Sequence, residues 1–182
     1  FSLTLLSFGF SQSYVRFYVK KRSNGGEKDV RRLNGVYLVL YAVVSAAALV
    51  IGLSFAANAE FVFSPGFTAE QIVIAKIAMA FMAANIAIVL FNSVFDSYVL
   101  ANEEFRFQQT RQLAITLASP FVAYVLLVLG FGVVGVAAAQ MAVNGVLFVI
   151  NAMYCVRRLK MRFNVLHFDG ECFKSIAAFS SW

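Results

Sequence analysis

Charge is the scarcest property of this chain. Only 13% of its 182 residues are Asp, Glu, Lys or Arg, where a soluble domain of this size carries about a quarter. Proline is also rare, with 2 residues against 20 Phe and 7 Tyr, which excludes a disordered chain. The 2 cysteines, Cys155 and Cys172, stand at no metal-binding or redox spacing and read as small apolar filler. The single histidine, His167, lies beyond the last long apolar segment with no nucleophile beside it. No pair of carboxylates falls inside an apolar segment, and the sequence has neither a glycine-rich phosphate loop nor a cluster of metal-ligating residues. These absences argue against an enzyme, a bound cofactor and a metal site. The net charge of +6 would suit nucleic acid in a soluble protein, but the placement of the cations accounts for it without nucleic acid.

What is present is apolar length, since 61% of the residues are hydrophobic. Five segments stand out, at 1–19, 34–57, 70–99, 113–129 and 133–155. As a helix the second is about 36 Å long, enough to cross a bilayer with some tilt. The third is long for a span, so its ends are expected to emerge from the hydrocarbon. Soluble helices that are apolar all round would leave almost no surface to face water. The runs are too long for barrel strands and do not alternate. The expected fold is therefore all-α, a polytopic membrane helix bundle of about five transmembrane helices. Polar connections lie at 20–32, 58–69, 101–112 and Gly130-Phe131-Gly132, and a tail at 156–182 leads towards a further apolar run. Pro65-Gly66 is a turn signal, and Thr68 with Gln71 three residues on predicts a capping box. Pro120 is expected to kink the fourth span, and the Gly130 turn to close spans four and five into a tight hairpin. The chain opens on Phe-Ser-Leu within one apolar run and closes on Ser-Ser-Trp at the start of another, so it reads as a piece of a longer protein. The first run has no basic leader or small-residue cleavage site, so a signal peptide is not expected.

The cations fix an orientation. Of the 15 Lys and Arg, six fall in 20–32, two in 101–112 and four in 156–162, whereas 58–69 and 130–132 hold none. These sets alternate as an up-and-down path requires. The positive-inside rule then places 20–32, 101–112 and the tail in the cytoplasm, and 58–69 and 130–132 outside. Lys76 falls near the outer end of its helix, where its stem can snorkel to the interface. Tyr14, Tyr18, Tyr98 and Tyr154 fall at the inner boundary, as an aromatic belt would.

Each span also carries sparse polar residues at helical spacing. Ser7, Ser11, Tyr14 and Tyr18 share one face of the first, and Gln12 and Arg16 another. Asn34, Tyr37, Tyr41 and Ser45 align in the second, and Asn85, Asn92 and Asp96 in the third. Thr116, Pro120 and Tyr124 align in the fourth, and Gln140, Asn144 and Asn151 in the fifth. A polar group turned to lipid is unsatisfied, so these faces are expected to turn inward, either as hydrogen bonds between helices or as the wall of a wet cavity. Arg16 and Asp96 are the ionisable members. A guanidinium suits an anion contact, because its fork matches phosphate oxygens. Asp96 is a candidate partner for Arg16 or Arg106, or a carrier of a coupling ion or proton. The candidate substrate-binding set is Arg16, Gln12, Tyr41, Asn85, Asn92, Asp96, Gln140 and Asn144, with no catalytic, cofactor or metal residues.

The run Phe8-Gly9-Phe10-Ser11-Gln12-Ser13-Tyr14-Val15-Arg16-Phe17 resembles the end of the second span in bacterial polysaccharide flippases of the O-antigen type. Val94-Phe95-Asp96-Ser97-Tyr98-Val99-Leu100-Ala101-Asn102-Glu103-Glu104-Phe105 is similar to the end of their fourth span. Gly132-Val133-Val134-Gly135-Val136-Ala137 is similar to the turn and start of the sixth. The resemblance covers most of the chain. It implies the second to sixth spans of the N-terminal lobe of a flippase in the multidrug/oligosaccharidyl-lipid/polysaccharide exporter superfamily, in the inner membrane of a bacterium. The implied substrate is an undecaprenyl-diphosphate-linked oligosaccharide, moved through a central cavity by rocking of two lobes. Arg16 matches the cavity cations that such proteins use for the diphosphate. The implied partners are the lipid-linked oligosaccharide, membrane lipids, other polysaccharide-assembly proteins and the missing C-terminal lobe. Two alternatives stay open: a cation-coupled multidrug exporter of the same superfamily, and a non-transporting membrane scaffold of a polysaccharide synthesis complex.

Overall fold

The computed structural model describes residues 2–24, 26–63 and 66–163. Pro65, His167, Cys172 and Lys174 lie outside the described residues, as do the side chains of Ser7 and Ser11. All described elements are helices: α1 (Ser2–Asn24), α2 (Gly26–Ala57), α3 (Ala59–Phe63), α4 (Ala69–Ala101), α5 (Phe105–Val128) and α6 (Gly132–Met153). A wider π-helical turn, Tyr154–Arg158, continues α6.

Four of these helices are long and apolar enough to cross a membrane: α2, α4, α5, and α6 with its π turn. The chain is a multi-pass membrane helix bundle. The fifth long helix, α1, has 23 residues, about 34 Å, but it carries Gln12, Ser13, Tyr14, Arg16 and Tyr18 in close succession. The helices outrun the apolar segments. Lys20–Asn24 ends α1 and Gly26–Arg32 begins α2, so most of the basic stretch expected as a connection is helical. Residues 105–112, expected as part of a polar elbow, form the first turns of α5. The cause is that a spanning helix has no reason to unwind at the hydrocarbon edge when the next residues are Lys, Arg, Glu or Gln, all good helix formers. The 33 residues of α4, about 50 Å, exceed the hydrocarbon thickness of about 30 Å, as the long third segment implied.

The helix ends follow local chemistry. Thr68 and Gln71 form the capping box: the Thr68 N–H donates to Gln71 Oε1 at 3.0 Å, and the Gln71 N–H to Thr68 Oγ1 at 3.4 Å. At the end of α5, Gly130 adopts a φ of 86°. Its N–H donates to Leu127 O, and the Phe131 N–H to Leu126 O, the reciprocal pair of a Schellman stop. The same pair of bonds ends α4, but there Glu103 takes the left-handed position with φ 59°. A residue with a Cβ is held there at a cost of about 1–2 kcal/mol. Helix α5 runs unbroken through Pro120.

The contacts divide into two compact units. Unit 1 comprises residues 1–43, 90–109 and 150–182. Its core is rich in phenol rings: Tyr14, Tyr37 and Tyr41 are fully or almost fully buried, and Tyr18 and Tyr98 nearly so. Tyr14 meets Tyr37 edge-on at 4.9 Å, and Tyr18 meets Tyr98 edge-on at 5.7 Å. The inward turn expected of the Tyr14 and Tyr18 face is what the structure has, and Tyr98, expected at the inner boundary, is buried with them. They turn inward because each hydroxyl finds an acceptor there: Asn34 Oδ1 for Tyr14, Asn102 Oδ1 for Tyr18 and Leu159 O for Tyr98. Tyr154 stacks on Phe107 at 3.7 Å. Cys155 is buried as apolar filler, with its thiol against Phe95 O at 3.6 Å.

Unit 2 comprises residues 44–89 and 110–149. Small residues set its spacing. A Cβ built on Gly52 of α2 would stand 2.5 Å from the Ala83 Cβ of α4, so the two helices touch backbone to backbone there. Leu113, Leu117, Phe121 and Val128 of α5 form an exposed apolar row, suited to lipid.

Candidate functional site

The polar stripes of α4 and α6 meet. In unit 2, Asn144 Nδ2 donates to Asn85 Oδ1 at 2.8 Å. In unit 1, Asn151 Nδ2 donates to Asn92 Oδ1 at 2.9 Å and to Asp96 Oδ1 at 2.8 Å, while Asn92 Nδ2 donates to Asp96 Oδ2 at 3.1 Å. Within unit 1, Asn92 faces Asn151 and Phe95 faces Cys155, so the two helices run parallel. Asn151 is fully buried, and its Oδ1 has no hydrogen-bond partner. Asn85 and Asn144 in unit 2, and Asn92 and Asp96 with Asn151 in unit 1, thus form hydrogen bonds between helices, the first of the two roles open to them. Asp96 is held by two amides of α4 and α6. Gln140 is half-buried in unit 2, and Tyr41 is buried in unit 1 beside Tyr37.

The other stripes behave differently. Asn34, Tyr37, Tyr41 and Ser45 of α2 are all buried, as expected. Thr116, Pro120 and Tyr124 of α5 are exposed, contrary to the inward turn expected of them. Thr116 satisfies its own hydroxyl by donating to Gln112 O at 2.9 Å one turn back, so no second helix is needed. On α1 the two faces separate. Ser13, Tyr14 and Tyr18 are buried, whereas Gln12 and Arg16 are exposed.

A feature the spacing did not reveal lies at the basic end of unit 1. There a pocket of about 590 Å³ is lined by Arg22 of α1, Arg31 of α2, and Lys160 and Arg162 beyond α6. Amides of Asn34 and Asn102 and the phenols of Tyr18 and Tyr98 complete its polar wall. Arg22 Nη1 donates to the Tyr18 hydroxyl at 3.2 Å and to Asn102 Oδ1 at 3.4 Å, and its guanidinium carbon lies 5.8 Å from the Tyr18 ring centroid. Glu27 also lines the pocket and pairs with Arg31 at 2.9 Å. Residues 159–162 form a strap held by its backbone: Tyr98 donates to Leu159 O at 3.3 Å, and Asn34 Nδ2 to Arg162 O at 3.1 Å. Met161 is buried beneath it, and Lys160 takes the left-handed conformation with φ 52°. The sequence signal that was available is the Asn34 and Asn102 pair beside clustered cations; it was masked because basic residues at span ends read equally well as orientation signals.

In unit 2, Lys76 pairs with Glu60 of α3 at 2.5 Å. The hydrogen bond and charge of the Lys76 ammonium hold the Glu60 carboxyl below its ordinary range.

Comparison of the chain with protein-family models, with curated proteins and with solved structures finds no match.

Proposed function

We propose that the chain is part of the N-terminal lobe of a transporter that flips an undecaprenyl-diphosphate-linked oligosaccharide across the cytoplasmic membrane of a bacterium. The observation that carries this reading is the exposed Gln12–Arg16 face of α1. Arg16 stands one turn inside the Lys20-Lys21-Arg22 boundary, on a helix long enough to span. A guanidinium one turn from the end of a span reaches the interface at little cost, so its position alone allows either an interfacial or a cavity role. The same group on the wall of a wet cavity is solvated, and the geometry of a guanidinium suits the oxygens of a diphosphate. Moving a diphosphate through hydrocarbon unaided is prohibitive, because burying unpaired charge costs many kcal/mol. A polar wall with a cation offsets that cost, and rocking of two lobes delivers the headgroup. The resemblance of Phe8–Phe17 to the flippase second span supports the same assignment.

The test uses the full-length protein. Arg16→Ala lowers export of lipid-linked oligosaccharide about ten- to a hundredfold, the worth of one charge-assisted contact of about 1.5–3 kcal/mol, and leaves membrane insertion intact. Arg16→Lys retains part of the activity, because it keeps the charge but loses the fork. Wild-type export by the Ala variant removes Arg16 from the site and favours a scaffold.

A further inference from the structure

We infer that the pocket at the basic end of unit 1 is a binding site for a phosphate-bearing headgroup, distinct from the Arg16 face of α1. The inference stands on the pocket and does not rest on the transport reading, since a scaffold could hold such a headgroup equally well. Four cationic side chains from three separated segments of sequence line one pocket of about 590 Å³, within the usual 300–1,000 Å³ of small-ligand sites. Orientation of the chain in a membrane needs only that cations lie on one side. It does not need them to converge. Arg157 and Arg158 show the contrast: they belong to the same basic tail and, like Arg22, Lys160 and Arg162, are exposed, but they do not line this pocket.

The convergence is built by the fold. Lys160 and Arg162 are presented by a strap whose anchors are backbone carbonyls, so their side chains are not used to hold it. The buried Met161 and the left-handed Lys160 fix the direction in which the strap crosses, and backbone strain of this kind persists only where the surroundings over-determine it. Arg22 is braced by Tyr18 and Asn102. The lone lining carboxylate, Glu27, is already taken by Arg31, which leaves the balance of the pocket strongly positive. Guanidinium forks match phosphate oxygens, and converging cations inside a concave wall suit more than one negative charge. The neighbouring amides and phenols are engaged in building the wall: Asn34 and Tyr98 hold the strap, and Tyr18 and Asn102 brace Arg22. The ligand chemistry is therefore a phosphate diester or diphosphate. Its source is either a soluble or carrier-linked diphosphate, or the headgroup of an anionic bilayer lipid.

The experiment separates these sources. The full-length protein in phosphatidylcholine nanodiscs is titrated calorimetrically with inorganic pyrophosphate. In a second arm it is reconstituted with phosphatidylglycerol, and the lipid retained is counted by native mass spectrometry. Lys160→Gln/Arg162→Gln removes two pocket charges and leaves the strap's backbone anchors in place. Arg157→Gln/Arg158→Gln removes the same charge outside the pocket. The pocket variant is expected to weaken pyrophosphate binding, or phosphatidylglycerol retention, by at least about tenfold, the scale of losing charge-assisted contacts, while the outer variant stays within about twofold. Pyrophosphate binding points to a diphosphate ligand; lipid retention without it points to the bilayer headgroup. Equal weakening in both variants means a diffuse field of charge and overturns the inference, as does binding in neither arm. If the double variant unfolds, the single Arg162→Gln is measured against Arg158→Gln on the same terms.

Discussion

Replacing Asn151 by leucine tests what holds α6 to α4 in unit 1. Leucine keeps the branch at Cγ but is larger than asparagine, so at this fully buried site the change removes polarity and adds some overpacking, a strain that the double-variant comparison below cancels. Two hydrogen bonds disappear, to Asn92 Oδ1 and to Asp96 Oδ1. The wild-type side chain also carries a cost, because its Oδ1 is buried without a partner, and losing that orphan gives back about 1–3 kcal/mol. The variant takes the described donor from two acceptors, Asn92 Oδ1 and Asp96 Oδ1, which at least offsets that gain. What remains is the worth of the two bonds. Hydrogen bonds between membrane helices average about 0.6 kcal/mol and reach about 1.7, and bonds to a charged acceptor lie at the upper end. The net loss is about 1–3 kcal/mol, with the Asp96 bond the larger part. Reversible unfolding of the full-length protein in mixed micelles, with increasing denaturing detergent, measures it. Repeating the measurement in an Asp96→Asn background isolates the coupling between residues 96 and 151, expected at about 1 kcal/mol or more. A leucine variant as stable as wild type, or no coupling with position 96, would refute the view that the amides act as the link between these helices.

In unit 2, Gly52→Ala places a Cβ 2.5 Å from the Ala83 Cβ, where neither partner has a flexible end to yield. It is expected to destabilise the protein by about 1–3 kcal/mol, and Ala83→Gly in the same chain to restore most of the loss; an unaffected unfolding midpoint for the single variant counts against the close approach of α2 and α4. The Glu60–Lys76 pair predicts a pH response. Because the Glu60 carboxyl is depressed in the folded state, the pair's contribution is complete above the unfolded carboxylate value and is lost as pH falls through the lower folded value. A spin label at Phe61 should loosen across that acid window, and Glu60→Gln should be loose at every pH; identical profiles for the two proteins would dismiss the pair as the tether of α3.

The helical class was legible because 20-residue apolar runs have one common solution in a membrane, in which the backbone satisfies itself. The capping box at Thr68 and the turn at Gly130 were legible for the same reason: their chemistry is local. The stripes were legible as polar faces, but their destination was not. Thr116 points outward and bonds the carbonyl one turn back on its own helix, whereas the Asn151 amide bonds across to α4, and spacing alone does not distinguish the two outcomes. The pocket at the basic end was hidden, because Asn34, Asn102 and Arg162 come from distant parts of the chain.

Composition and periodicity by themselves determined that this chain is a multi-pass bundle of apolar helices, that its cations collect at alternate connections, and that each span carries a polar face. These are properties of single helices and of their partition between water and hydrocarbon, which depend on residue type and spacing alone. The tertiary structure decided which faces meet: that Asp96 is clasped by Asn92 and Asn151, that the tyrosines of α1 and α4 turn inward, that Gln12 and Arg16 stay exposed, and that four scattered cations close around one pocket. Those outcomes depend on helix register and on where a strap of backbone crosses, and neither is written in the pattern of any one segment.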